Sequence, residues 1–306
     1  MSNCLKALAN QTFVNKDFEL IVVSDGPDAA TEKVIRQFRA EQTVDIFFYS
    51  LDEKKGPAAA RNMGWKNSSA ILIAFTDDDC LPDTNWLQSI WENYDGEELV
   101  AYSGKVTVPI AEKPTDYELN IAGLENAEFV TANCFCTRRS LIRTGGFDEE
   151  FEYAWREDSD LQFKLMLNNV PIHRNNKAVV VHPVREAGWG ASLKDQRKTM
   201  YNALLYKKYP ELYRSRIKPK PTWFYYIVTA SFIITVFCCF ASLFAAATVA
   251  FIVWLSLTIR FTIKRLAKTT KTPEHITEMF VTSMFIPILS IYWTLYGAWR
   301  YRVIFL

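Results

Sequence analysis

The run Thr76-Asp77-Asp78-Asp79-Cys80 places three adjacent carboxylates directly after five apolar residues, Ile71 to Phe75. That apolar run has no helical period and reads as a buried parallel strand. Side chains alternate along a strand, so Asp77 and Asp79 are expected on one face and Asp78 on the other. Ligands in open α/β sheets sit beyond the carboxyl ends of strands, where these acids fall. Two like charges about 4 Å apart repel by roughly 4 kcal/mol at an effective dielectric near 20. Such a cluster is costly without a cation. Hard divalent ions such as Mg²⁺ take carboxylate oxygens together with substrate phosphates. A solvated acidic turn, with Asp83 capping a helix, is the alternative reading of the same residues.

The elements that would position these acids alternate along the first two thirds of the chain. A helix is expected at 2–12 and a buried strand at 18–23, closed by the turn Ser24-Asp25-Gly26-Pro27. Asp25 thus also stands at a strand's carboxyl end. A helix at 31–39, a strand at 46–49 and a small-residue helix at 58–65 follow. On that last helix Arg61 either meets an anionic ligand or is simply solvated. A helix at 82–91 and a strand at 99–108 continue the alternation. The pattern predicts an α/β fold with a mostly parallel, doubly wound sheet.

The 306 residues carry a formal charge of +1, which gives no nucleic-acid signature. The mean hydropathy of −0.04 averages two unlike parts. From Thr222 to Ile259 no residue is charged, and as helix that stretch would run about 57 Å, nearly twice the ~30 Å hydrocarbon core of a bilayer. A two-helix membrane hairpin over 222–260, turning near 241–247, fits better than one span. A third apolar stretch at 279–300, containing Pro287, spans the membrane or lies in its interface. Basic residues before the first span (Arg214, Arg216, Lys218, Lys220) and after the second (Lys264, Arg265, Lys268, Lys271) fall on one side of such a hairpin. Positive charge marks that side as cytoplasmic. The globular part is therefore expected at the cytoplasmic face of a multi-pass inner-membrane protein, with Cys4, Cys80, Cys134 and Cys136 reduced. Cys134-Phe-Cys136 reads as strand packing.

Further along stand Gly145-Gly146-Phe147-Asp148-Glu149, Glu157-Asp158-Ser159-Asp160-Leu161 and His182-Pro183. In order with Ser24-Asp25-Gly26, the GPAAARNMG run and DDDC-x-P-x-x-x-W-L, these resemble the inverting family 2 glycosyltransferases built on a GT-A nucleotide-sugar domain. The resemblance covers about residues 3–213, within a domain at 1–215. It implies that Asp25 contacts the base or ribose of the donor. It also implies that Asp77 and Asp79 form a DxD pair, Asp77 nearer the ribose of the nucleotide sugar and Asp79 on the metal, Mn²⁺ or Mg²⁺. Asp158 would be the general base, and His182 would approach the metal or diphosphate. Asp78, Arg61 and Asn133 are further candidates for the nucleotide sugar, and Arg138 for the sugar or acceptor. Trp155 and Trp189 would either stack on a sugar or simply pack. The chemistry suits these groups. Inverting transfer needs a base for the acceptor hydroxyl and a cation for the departing diphosphate. The helix dipole beneath Asp158 would tend to lower its pKa.

Family members begin with one more apolar strand, central in the sheet and ending in a loop that touches the base. Here the first expected element is the helix after it. Neighbouring strands would then lack ladder partners, which leads to the expectation of about 15 to 40 further residues upstream. No Q-x-x-R-W motif follows His182, which points to single-sugar transfer rather than polymer synthesis. The resemblance implies a UDP-sugar donor and a glycan or lipid-linked acceptor in cell-surface glycan synthesis. A non-catalytic membrane scaffold and a nucleotidyltransferase are the competing readings.

Overall fold

A computed structural model of the chain describes residues 1–41 and 44–305, which divide into two units. The first comprises Met1–Pro109 and Ala122–Val184; the second comprises Ile110–Ile121 and the residues from Arg185 onward.

In the first unit, α1 (Ser2–Ala9) precedes β1 (Glu19–Ser24), α2 (Ala29–Glu41) and β2 (Asp45–Ser50). β1 and β2 pair in parallel, Glu19 opposite Asp45. After α3 (Pro57–Asn67) come β3 (Leu72–Phe75), β4 (Leu81–Pro82), α4 (Trp86–Trp91) and β5 (Ala101–Thr107). β6 (Cys134–Thr137), α5 (Arg138–Thr144), α6 (Glu157–Leu167) and β7 (Ile172–Val181) complete the unit. The larger sheet runs β3-β6-β5-β7-β4. β5 and β7 are parallel, whereas β3–β6, β5–β6 and β4–β7 are antiparallel. The α/β class holds, with a more mixed sheet than alternation alone suggests.

The core joins α3, the sheet and α6 through Trp65, Ile73, Phe75, Ala101, Leu141 and Leu161. Cys134 and Cys136 are buried in it, and all six cysteines are free. The helix expected at 82–91 is a correction. Leu81 and Pro82 pair with Val181 and Val180 at the sheet edge, where a proline lacking N–H is tolerated. The helix starts only after the turn in which Asp83 accepts from the backbone N–H groups of Asn85 and Trp86.

β1 and β3 belong to separate ladders, and residues of both line a cavity of about 1090 Å³. Leu5, Leu8, Leu20, Val22, Ile73 and Phe75 are among its apolar lining.

In the second unit, three helices are long and apolar enough to cross a membrane: α7 (Trp223–Phe240), α8 (Phe244–Leu266) and α9 (Pro273–Arg300). The turn between α7 and α8 is short, with Ser242 at φ 56° and Leu243 N–H donating to Cys238 O. Phe237, Phe240, Phe244, Val249 and Ile252 are exposed on this unit, as expected of lipid-facing side chains. α9 begins six residues earlier than its apolar stretch, at Pro273 instead of Met279. Thr272 Oγ1 caps it by accepting from His275 N–H, and Glu278 accepts from Gly190 N–H. Arg265 near the end of α8 is 8% exposed, bonded to Asp116 at 2.7 Å and to the hydroxyls of Thr282, Ser283 and Ser192. These bonds satisfy a charge that apolar periodicity alone would not place there.

Candidate active site

β3 ends at Phe75, and the three acids lie in the turn that follows it, closed by Cys80 N–H donating to Asp77 O at 3.1 Å. The turn, rather than strand alternation, puts Asp77 and Asp79 together. β4 then carries the chain beside β7. Its antiparallel register, Leu81 opposite Val181, places Cys80 opposite His182 when extended by one residue. The result is a four-residue set, Asp77, Asp79, Cys80 and His182, whose ligand atoms all lie within 4.8 Å of one another. His182 Nε2 is 3.9 Å from Asp77 Oδ2. Two carboxylates and an imidazole suit a divalent ion, so the donor set fits the metal implied by the resemblance. Asp78 is exposed and outside this set.

Arg61 connects the set to the start of α6. Its Nη2 is 2.9 Å from Asp77 Oδ1 and its Nη1 is 3.0 Å from Glu157 Oε1. The Arg61 side chain is 15% exposed and that of Glu157 4%. Burial lowers the guanidinium's affinity for its proton, but the two carboxylates outweigh that and leave Arg61 firmly charged. Asp158, next to Glu157, accepts from Ser159 N–H at 2.6 Å and Ser159 Oγ at 3.2 Å. Its helix begins after Arg156, held at φ 77° with its guanidinium 4.7 Å from the Trp155 ring centre.

Burial raises the pKa of Asp158, against the lowering effects of Ser159 and the nearby arginines. It raises Glu157 as well, where Asp158 adds repulsion and Arg61 opposes it. The direction at Asp158 is therefore opposite to the lowering expected from the helix dipole. Desolvation of a carboxylate outweighs the partial charge at a helix end. If Asp158 is the general base that the resemblance implies, it works only when deprotonated, and activity is expected to fall as pH drops through a value above the ordinary aspartate pKa of about 3.9. A pH profile of kcat/KM checks this; an acid limb at the ordinary value would contradict it. The stability contribution has the opposite sense. A raised folded pKa stabilises at low pH and is lost as pH rises through that value.

Three of the expected site residues have structural partners. Asn133 is fully buried; its amide donates to Lys105 O and Ala178 O and accepts from Trp86 Nε1. A Cβ on Gly104 would lie 2.3 Å from that amide, so only glycine fits there. Asn133 thus cross-links the core through both ends of its amide. Arg138 is likewise partnered: its guanidinium donates to the backbone oxygens of Trp65, Ser68 and Lys66 at the end of α3. Asp25 accepts from Lys55 N–H at 2.7 Å and Gly56 N–H at 2.9 Å, tying the β1 turn to the start of α3. Asn62 explains why the GPAAARNMG run and the Gly146-Phe147 turn occur together. It donates to Phe147 O and Glu149 Oε1 and accepts from Phe147 N–H. Residue-type reasoning missed Glu157 as the partner of Arg61, and Cys80 beside His182. The adjacent Glu-Asp pair was the only signal for the first, and strand register was needed for the second.

A mixed α/β sheet with an acidic turn at the end of a strand and a second carboxylate at a helix start has the architecture of the GT-A glycosyltransferases. Residues 1–149, just under half of the 306, match the model of Glycosyl transferase family 2. Glycosyltransferase AglE of Haloferax volcanii is 37% identical over 89 residues, 29% of either chain. Validoxylamine A glucosyltransferase of Streptomyces hygroscopicus is 25% identical over 209 residues, covering 56% of this chain and 46% of its own. The chain thus spans less than half the length of these relatives. Among solved structures, a mannosyltransferase from Pyrobaculum calidifontis in complex with GDP-Man and Mn²⁺ superposes with a TM-score of 0.54 at 15% identity. The superposition covers 97% of this chain and 82% of that one, and the similarity is one of fold.

Proposed function

We propose that this protein is a metal-dependent, inverting glycosyltransferase that moves one sugar from a nucleotide-sugar donor to an acceptor hydroxyl. The observation that carries this reading is the Arg61 bridge. One guanidinium spans Asp77 in the four-residue set and Glu157 beside Asp158. A cation-holding group and a candidate base are thereby held in one rigid arrangement.

Asp77, Asp79 and His182 would hold Mn²⁺ or Mg²⁺, which when bound supplies positive charge to the departing diphosphate. Asp158 takes the acceptor hydroxyl's proton as its oxygen attacks the anomeric carbon from the face opposite the leaving group, so configuration inverts. Burial of Asp158 makes it a better proton acceptor than an exposed aspartate. Asp25 would contact the base or ribose of the donor, and we assign its nucleotide as UDP, the commonest in the family. The three apolar helices and the basic residues around them support an acceptor at the cytoplasmic face of the inner membrane, a glycan or lipid-linked saccharide.

The open edges of β1 and β3 favour a second reading, a non-catalytic membrane scaffold. Calorimetric titration of UDP, GDP, CMP and dTDP into the purified protein, with and without Mn²⁺, separates the two. The enzyme reading expects Mn²⁺-dependent binding of one nucleotide, lost in Asp79→Ala. Binding that ignores the metal and the substitution, or no binding at all, supports the scaffold.

A further inference from the structure

We propose that Cys80 is a metal ligand that lets this site capture zinc-class ions such as Zn²⁺, Co²⁺ and Cd²⁺, in company with His182, Asp77 and Asp79. The inference rests on reading the cluster as a cation site, not on sugar transfer. Hard Mg²⁺ and Mn²⁺ favour oxygen donors and gain little from sulfur. Zn²⁺ and its relatives bind thiolate and imidazole strongly.

The arrangement follows from the sheet. Cys80 directly precedes β4 and His182 directly follows β7, and the antiparallel register sets them opposite each other. Directly opposed residues in such a pair have Cβ atoms about 4.5–5.5 Å apart on one face. The turn from Asp77 to Cys80 folds the two carboxylates onto the same spot, so that sulfur, nitrogen and oxygen donors lie within 4.8 Å of one another. Cys80 is fully buried, so its sulfur is shielded from competing water. When the ion binds, a metal–sulfur bond forms as the S–H bond breaks. The proton passes to the buffer and no oxidation state changes.

The consequence is chemical selectivity. A zinc-class ion held by sulfur, imidazole and both carboxylates has a closed four-coordinate shell and no position left for a diphosphate oxygen. Zn²⁺ or Cd²⁺ is therefore expected to compete with Mn²⁺ and suppress nucleotide binding.

The test titrates Co²⁺ and Cd²⁺ into the full-length, metal-free protein and follows sulfur-to-metal charge-transfer absorption in the ultraviolet. The band is expected in the wild type and in Cys4→Ser, whose sulfur lies beside Asp77 O, and is expected to vanish in Cys80→Ser. Cd²⁺ affinity in Cys80→Ser is expected to fall by about tenfold or more, since loss of a supporting group alone costs metal sites 10–100-fold. X-ray absorption on the Cd²⁺-loaded wild type covers the case of a misfolded variant, with one sulfur expected among the ion's nearest neighbours. No sulfur band or neighbour in the wild type, or a band that survives in Cys80→Ser, overturns the proposal. Mn²⁺-dependent nucleotide binding by the same wild-type preparation distinguishes the two failures. If it persists without any sulfur signature, only the role of Cys80 falls. If no divalent ion binds at all, the cation site itself falls with it.

Discussion

Replacing Asp158 by Asn is expected to slow sugar transfer by about 10²–10⁴-fold, equivalent to roughly 3–5 kcal/mol of transition-state stabilisation. The substitution is close to isosteric, and an amide oxygen can still accept from Ser159 N–H and Oγ as Asp158 Oδ1 does. The start of α6 is therefore preserved, and only the capacity to take a proton is removed. Because the role proposed for Asp158 is on the acceptor hydroxyl, Mn²⁺-dependent binding of the donor nucleotide is expected to keep its Kd. Single-turnover transfer measured beside calorimetry checks both halves. A variant that still transfers at the wild-type rate would move the base elsewhere, with Glu157 the nearest alternative. One that loses nucleotide affinity in step with rate would make Asp158 a binding residue.

Arg61→Met is the second large effect. Methionine fills similar space but leaves Glu157 and Asp77 without their shared counter-charge. Removing one partner of a buried ion pair costs about 3–5 kcal/mol, a large share of the 5–15 kcal/mol that holds a typical domain together. Burial already raises the pKa of Glu157. The orphaned carboxyl can therefore take up a proton, and the loss should be smaller at low pH and grow as pH rises. Glu157→Gln in the Arg61→Met background is expected to recover part of the stability, because a neutral amide needs no cation. Denaturant unfolding of the wild type, both single variants and the double variant gives the coupling energy. Additive effects would mean that the 3.0 Å contact contributes nothing of its own.

A good part of this was legible in the residues. The apolar run ending in acids marked a strand with ligand groups at its carboxyl end. The charge-free stretch after Thr222 fixed a helical hairpin, because the hydrocarbon length of a bilayer is a property of composition and rise per residue. The small residues of α3 announced tight packing: Ala58, Ala59 and Ala60 are buried. The partners of Asn133 and Arg138 were not legible for one reason. A polar residue's type does not reveal whether its partner is a ligand or a distant backbone carbonyl, and here the carbonyls lie 28 to 73 positions away in sequence.

The sequence alone determined the α/β domain, the acidic run after an apolar strand, the Glu-Asp pair and the apolar helices, because each rests on local periodicity or adjacency. Only the tertiary structure decided what those groups do to one another. Arg61 joins residues 16 and 96 positions away, and the register of β4 against β7 brings Cys80 to His182. Desolvation, which depends on everything packed around a group, set the direction of the shift at Asp158. Charge pairing and burial are non-local quantities, and no window along the chain contains them.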